Sequence, residues 1–280
     1  MIEAILALLI HFAIPTVIVA AIFIAVLIFL LPREVRTVFK REVKSYFQSP
    51  IAYVCVIIFL LISNVISFFF GWVLDRGVAD LYPSFFQYLP WFFVILAPAV
   101  GMRLWSEEQR LGTMELMLTM PIAPWHAILG KYLAASVMIF SMLVLSFPIV
   151  VTMNYLGNPD NGVIMAGFVA TFFLALAFLA VTSMVSAMTR SQIVALLVSI
   201  IVCLVLWLGG LQPVTDAVNN MSGFQMIFWP VVKLVNVLGA LPHFNELAKG
   251  VLGMKDLVFF LSIIVFCLFG TSMILRVKRS

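Results

Sequence analysis

Charge is what this sequence has least of: of its 280 residues only 10% are Asp, Glu, Lys or Arg, against 64% that are hydrophobic. Soluble domains carry about a quarter charged residues, so a water-soluble enzyme is excluded. Cysteine is nearly as scarce. Cys55, Cys203 and Cys267 lie far apart inside apolar stretches, which reads as three buried thiols rather than a disulfide or metal framework. The histidines are His11, His126 and His243, none followed by a second within one or two helical turns, so zinc-protease spacing is missing. No Gly-x-Ser-x-Gly elbow occurs. A P-loop is also absent, because the Gly130-Lys131 pair is followed by Tyr132 and not by Ser or Thr. The reading is therefore a chain with no catalytic residues, no metal ligands and no cofactor site of its own.

What is present is length without charge. Uncharged runs cover 4–32, 45–74, 81–102, 132–159, 161–189, 191–215 and 257–275. Crossing a hydrocarbon core of ~30 Å takes roughly 20 residues at ~1.5 Å each, so all seven are long enough to span. With a mean hydropathy of +1.20, this is a multi-pass membrane protein. Two further runs, 217–232 and 234–245, are too short to cross and contain Pro230 and Pro242, which suits interfacial or re-entrant helices.

The sixteen basic residues set the orientation. With the segment after the first block in the cytoplasm, that side holds Arg33, Arg36, Lys40, Arg41, Lys44, Arg103, Arg110, Lys131, Arg190, Arg276, Lys278 and Arg279; the far side keeps Arg76, Lys233, Lys249 and Lys255. Twelve against four satisfies the positive-inside rule and puts the C-terminus in the cytoplasm. Basic residues scattered between apolar blocks give no nucleic-acid footprint. The first block, 1–32, has no Lys or Arg before it, so a signal peptide's positive region is missing. It reads as a retained anchor helix with its N-terminus outside, or else as an artefact of start-site choice.

Two segments outside the blocks carry pattern. Across 33–50, Val35, Val38, Phe39, Val43, Tyr46 and Phe47 recur at three- and four-residue steps, while Arg36, Lys40 and Lys44 form a basic row. That spacing predicts an amphipathic helix in the headgroup layer, with Arg36, Phe39, Lys40, Lys44 and Phe47 at the membrane interface. An ordinary juxtamembrane flank would show the same periodicity. In the loop after the third block, Ser106 followed by Gln109 has the spacing of a capping box, with Glu107 and Glu108 in the first turn, so a short helix is expected to start at Ser106. Gly112 interrupts it and Thr113 can cap a second half presenting Met114, Met117, Leu118 and Met120. Such an apolar knob is either a docking surface or another helix lying on the bilayer. The Glu107-Glu108 pair is not a protease EExxxR motif, since Gly112 stands where Arg is needed.

Inside the seven blocks no Asp, Glu, Lys or Arg occurs, which argues against a proton- or sodium-driven carrier. Small polar residues such as Ser63, Ser141, Thr171, Thr182, Ser183, Ser186 and Ser199 read first as helix-packing residues. Aromatic residues from Phe68 to Trp91 flank the short outer loop and read as an interfacial belt or an outer mouth.

The run MRLWSEEQRLGTMELMLTMPIAPWHAILGKYLA, residues 102–134, resembles the signature region of ABC-2 type transporter permeases. Residues 39–53, FKREVKSYFQSPIAY, are similar to the corresponding segment of the gliding-motility-like branch of that family, and residues 243–262, HFNELAKGVLGMKDLVFFLS, to the segment before its last span. The resemblance implies an all-α integral membrane protein: an ABC-2 type six-helix transmembrane core over 51–278, preceded by a connecting helix at 33–50 and one extra N-terminal transmembrane helix at 1–32. It implies a coupling helix at 106–120, in which Ser106, Glu107, Glu108, Arg110, Gly112, Thr113, Met114, Glu115, Met117 and Leu118 meet an ABC ATPase subunit, and an external re-entrant segment at 213–255. The implied function is that of an exporter permease in the inner membrane, paired with a second permease copy or homologous permease and open to an accessory membrane subunit. ATP would be bound by the partner and not by this chain. The rival reading is a membrane scaffold or assembly factor whose knob recruits a cytoplasmic partner without transport.

Overall fold

The computed structural model describes residues 31–70, 80–114, 123–209, 211, 239–251 and 253–278, and all regular structure among these residues is helical. The span expected within 1–32 lies outside the described residues but for its last two positions. So do 115–122 and most of the external segment, 212–238.

Helix α1, Arg33–Gln48, follows Pro32, carries Glu34 in its first turn and stops where Pro50 holds Ser49 in extended backbone. Its buried stripe is Val35, Val38, Phe39 and Tyr46. This face packs along the start of α5, Pro124–Leu145, instead of dipping into lipid. A Cβ on Gly130 of α5 would come within 2.9 Å of Val38, so the two helices approach as closely as a glycine permits. Phe39 is only 1% exposed, which corrects its assignment to the membrane interface, because an apolar stripe cannot face lipid and a neighbouring helix at once. Phe47 is exposed as expected.

Helix α2, Pro50–Val65, runs into a π-helical turn, Ile66–Phe70. It leaves Tyr53, Ile57, Leu61 and Phe69 uncovered, as an all-apolar helix does when one side meets hydrocarbon. After a second π-helical turn, Tyr82–Phe86, helix α3 (Leu89–Gly101) bends at Met102 into α4, Arg103–Leu111. Gly112 closes α4 at φ +70°, the left-handed C-cap that glycine adopts without strain. The expectation that a helix begins at Ser106 is corrected: Ser106 is buried inside α4, and its hydroxyl donates back to the Met102 carbonyl.

Helix α5, Pro124–Leu145, starts on a proline at its first position and breaks at Ser146 and Phe147 before Pro148 opens α6, Pro148–Leu156. Asp160 then caps α7, Asn161–Met188, accepting from the N–H of Gly162 at 2.8 Å. Helix α7 is the centre of the bundle, touching α3, α4, α5 and the three helices after it, α8 (Gln192–Leu208), α9 (Ala240–Ala248) and α10 (Met254–Val277). Its small residues allow this. Ala170, Thr171, Ala175, Ala177, Ala180, Thr182, Ser183 and Ala187 are all buried, and Gly101 of α3 and Gly270 of α10 would each clash with it if they carried a Cβ.

Helix α8, Gln192–Leu208, is 17 residues long, and α9, Ala240–Ala248, has 9. The latter is too short to cross a bilayer. Helix α10, Met254–Val277, is the last. Among the described residues, five stretches have the length and apolarity of membrane spans: Ala52–Phe69, Leu89–Leu111, Pro124–Leu156, Asn161–Met188 and Met254–Val277. The helices overrun the uncharged blocks, so Arg103, Lys131 and Asp256 belong to spanning stretches although the sequence places them between blocks.

Candidate functional site

The charges gather where α1, α4 and α5 meet. Helices α1 and α5 lie close enough at Gly130 that the next residue, Lys131, points between α1 and α4 and is 3% exposed. Its ammonium is 2.9 Å from the Glu108 carboxylate and 3.2 Å from that of Glu42, and stands 5.4 Å from the centre of the Trp105 ring. Arg41 approaches the same carboxylates from the outside, at 2.9 Å from Glu42 and 3.9 Å from Glu108. A cation this deep is tolerated only with such partners. Burial would raise the Glu42 carboxyl, but Lys131 and Arg41 outweigh it and hold it below its usual 4.5. Beside the cluster, Arg103 stacks over the Tyr46 ring at 4.6 Å and donates to Ser49, while the Tyr46 hydroxyl donates to the Val100 carbonyl. These groups frame an open cavity of about 460 Å³ bordered by Glu107, Leu111 and Thr113.

Helix α4 is held from its other side by α7. The bend at Met102 leaves the first N–H groups of α4 without partners of their own. Ser186 supplies the missing cap from another helix: its hydroxyl accepts from the N–H of Trp105 and of Ser106, both at 3.1 Å, and donates to the Met102 carbonyl at 2.8 Å. The Trp105 indole donates to Ser183, and the Gln109 amide donates to the Ala187 carbonyl. Helix α4 is thus bonded along its inner face to the last turns of the central helix.

The expected coupling residues divide into three groups. Arg110 and Thr113 are exposed, Glu107 is half-buried at the cavity rim and Gly112 turns the chain, while Leu111 beside them is 62% exposed. Ser106 and Glu108 face inward. Met114, expected on an exposed methionine surface, is buried at 6%. Glu115, Met117 and Leu118 lie outside the described residues. Among the membrane-interface residues, Lys40, Lys44 and Phe47 are exposed, and Arg36 donates to the Leu31 carbonyl. Sequence reasoning missed Lys131 as a buried charge and Ser186 as a cap. One signal was available for the first: a helix that starts at Pro124 carries Lys131 two turns inside it. For the second no local signal existed, since the cap comes from some eighty positions away.

At the opposite end, His243 of α9 meets Asp256 of α10 at 2.6 Å and stacks on Phe259, with Asp256 fully buried. Tyr82 donates to Asn245, and a cavity of about 490 Å³ opens between Asp80, Tyr82, Asp160 and Lys249. Among the described residues no three His, Cys, Asp or Glu side chains converge as metal ligands, and the three cysteines are free and buried. What the arrangement at the α1, α4 and α5 junction can do is mechanical: a short polar helix, one face exposed, is bonded to the middle of a membrane bundle.

A search of curated proteins finds no match to the chain. The family of ABC-2 family transporter proteins does match, over residues 80–280, which takes in α3 through α10. With that match over more than half its length and its all-helical spans, the chain belongs to the ABC-2 family of transporter proteins, as a membrane component.

Proposed function

We propose that this chain is the permease subunit of an ABC-2 type exporter, driven by a separate ABC ATPase subunit that docks on α4 and the segment after it, with a second permease chain completing the translocation path. The observation that carries the reading is the double attachment of α4: an exposed outer edge at Arg110 and Leu111, and an inner face bonded to α7 through Ser183 and Ser186. A push on the exposed edge reaches the central helix without crossing a flexible joint. The positive-inside distribution puts α4, the start of α5 and the end of α10 on the cytoplasmic side of the inner membrane, where ATP is. The stretch at 39–53 supports placement near the gliding-motility-like branch. Helix α1, braced on α5, then sets its basic row of Lys40 and Lys44 against anionic headgroups.

Docking of this kind takes its affinity from apolar side chains that become buried, and its register from charges at the rim. The test is recovery of the ATPase subunit by the solubilised permease. Leu111→Asp, and separately Met117→Asp with Leu118→Asp, should each release the ATPase while the spans stay folded. Undiminished recovery at normal expression removes the coupling assignment. A highly purified permease that hydrolyses ATP alone would refute the division of labour. Cysteine labelling should find 33–48, the loop around α4 and the C-terminus on the cytoplasmic face.

A further inference from the structure

Helix α7 ends without a backbone cap. Thr189 is extended, so among the described residues the carbonyls of the last turn have no backbone N–H of their own helix to bond. Two side chains from other helices take them. Lys278, just past α10, reaches the Ala187 carbonyl at 2.8 Å, the Met188 carbonyl at 3.4 Å and the Gln109 side-chain oxygen at 2.7 Å. An ammonium has three donors, and all three have acceptors. Gln109 uses both ends of its amide, accepting from Lys278 and donating to Ala187 at 2.8 Å. Lys278, Gln109 and the Ala187 carbonyl therefore close a ring whose corners belong to three elements. A cation also suits the negative end of a helix dipole.

We infer that Lys278 is a positioning residue for coupling: its ammonium, with the Gln109 amide, ties α10 and the open end of α7 to α4, so that a displacement of α4 is passed to two spans together. The inference rests on the coupling reading above. Without the ring, α4 keeps its bonds to α7 through Ser183 and Ser186 and loses its polar link to α10. Along the bundle α10 meets α7 through packing such as Gly270 against Met184, which resists separation but not sliding. The ring at the helix ends fixes the slide. Partial burial, with a smaller contribution from neighbouring Arg190, lowers the Lys278 pKa, yet the ammonium remains the form that can donate to three acceptors.

The experiment is hydrogen–deuterium exchange on the detergent-solubilised permease with its copurified ATPase, with and without ATP. In the wild type, ATP should change protection in 103–111, 183–189 and 270–278 together. In Lys278→Met the response at 103–111 should persist and that at 270–278 should fall about tenfold, the scale of one charge-assisted hydrogen bond. Lys278→Arg, which keeps donors at that place, should restore it, and Gln109→Met should reproduce the loss if Lys278→Met fails to fold. A Lys278→Met complex with normal ATPase recovery and a wild-type response at 270–278 overturns the inference. No ATP response at 103–111 in the wild type overturns the coupling reading, and the inference with it.

Discussion

The Lys131 ammonium lies 2.9 Å from the Glu108 carboxylate, inside the wedge where α4 meets α5. Glu107, one position earlier, is half-buried at the rim of the neighbouring cavity and, among the described residues, forms no salt bridge. Two adjacent glutamates that look alike in the sequence thus have different tasks. Reversing Glu107 to Lys should slow association with the ATPase and alter its salt dependence while thermal stability stays unchanged. Reversing Glu108 should lower the melting temperature first. Equal stability of the two purified variants would contradict this split.

Removing the lysine tests the cluster from its other side. Lys131→Met takes the buried cation from Glu42 and Glu108 and leaves them only the exposed Arg41, which should cost about 3–5 kcal/mol. Adding Glu42→Gln and Glu108→Gln should recover most of it. Chemical denaturation of the single and triple variants measures the difference, and a triple variant no better than the single one would show that packing, not charge, sets the cost.

The cap that Ser186 supplies should be worth about 1–2 kcal/mol, as helix N-caps are. Ser186→Ala should therefore loosen α4 with little effect on α7, visible as faster amide exchange at 103–106 alone. Exchange that speeds equally along the whole of α7 would show a general packing defect instead.

Gly130→Ala adds a methyl that meets Val38 at 2.9 Å and the Val35 carbonyl at 3.1 Å. Backbone stands on one side, so α1 must move away. Overpacking of this kind costs about 1–3 kcal/mol. The expected readout is faster proteolysis within α1; unchanged cleavage would mean that the α1 and α5 interface is looser than its geometry.

Acid should act through Glu42. Its folded pKa is depressed, so its stabilising effect is complete above the unfolded value of about 4.5 and is lost as pH falls through the folded one. Thermal stability attributable to the junction should be flat from neutral pH down to that point and fall below it. Glu42→Gln should lose this acid step, and an identical step in the variant would assign it elsewhere.

Most spans were legible because hydrophobic length is a local property: an uncharged run overlaps each of the five spanning stretches among the described residues. Their ends were not, because a charge was taken as a boundary. Lys131 and Asp256 show why that fails. Each is satisfied by a partner on another helix, so the chain can stay helical through it, and partners distant in sequence leave no local trace. Ser106 failed for a related reason. The cap spacing Ser106 to Gln109 is present, but the α3 helix already delivers the chain in helical geometry at Met102, and Ser186 does the capping. For α1 the periodicity was right and the partner wrong: an apolar stripe states that something covers it, and Gly130 decides that this is α5.

The break before Pro148 has a consequence for where water ends. The stretch Pro124–Leu156 has 33 residues, which would reach roughly 50 Å as one straight rod, well beyond a ~30 Å hydrocarbon layer. Helix α5 alone, with 22 residues, already matches the layer at about 33 Å. The surplus turns therefore stand proud of the oil, and the bend at Ser146 and Phe147 lets the two ends lean in different directions. Lys131 is shielded by protein rather than dissolved in lipid, so the bilayer's thickness can change under the protein without exposing that charge to hydrocarbon.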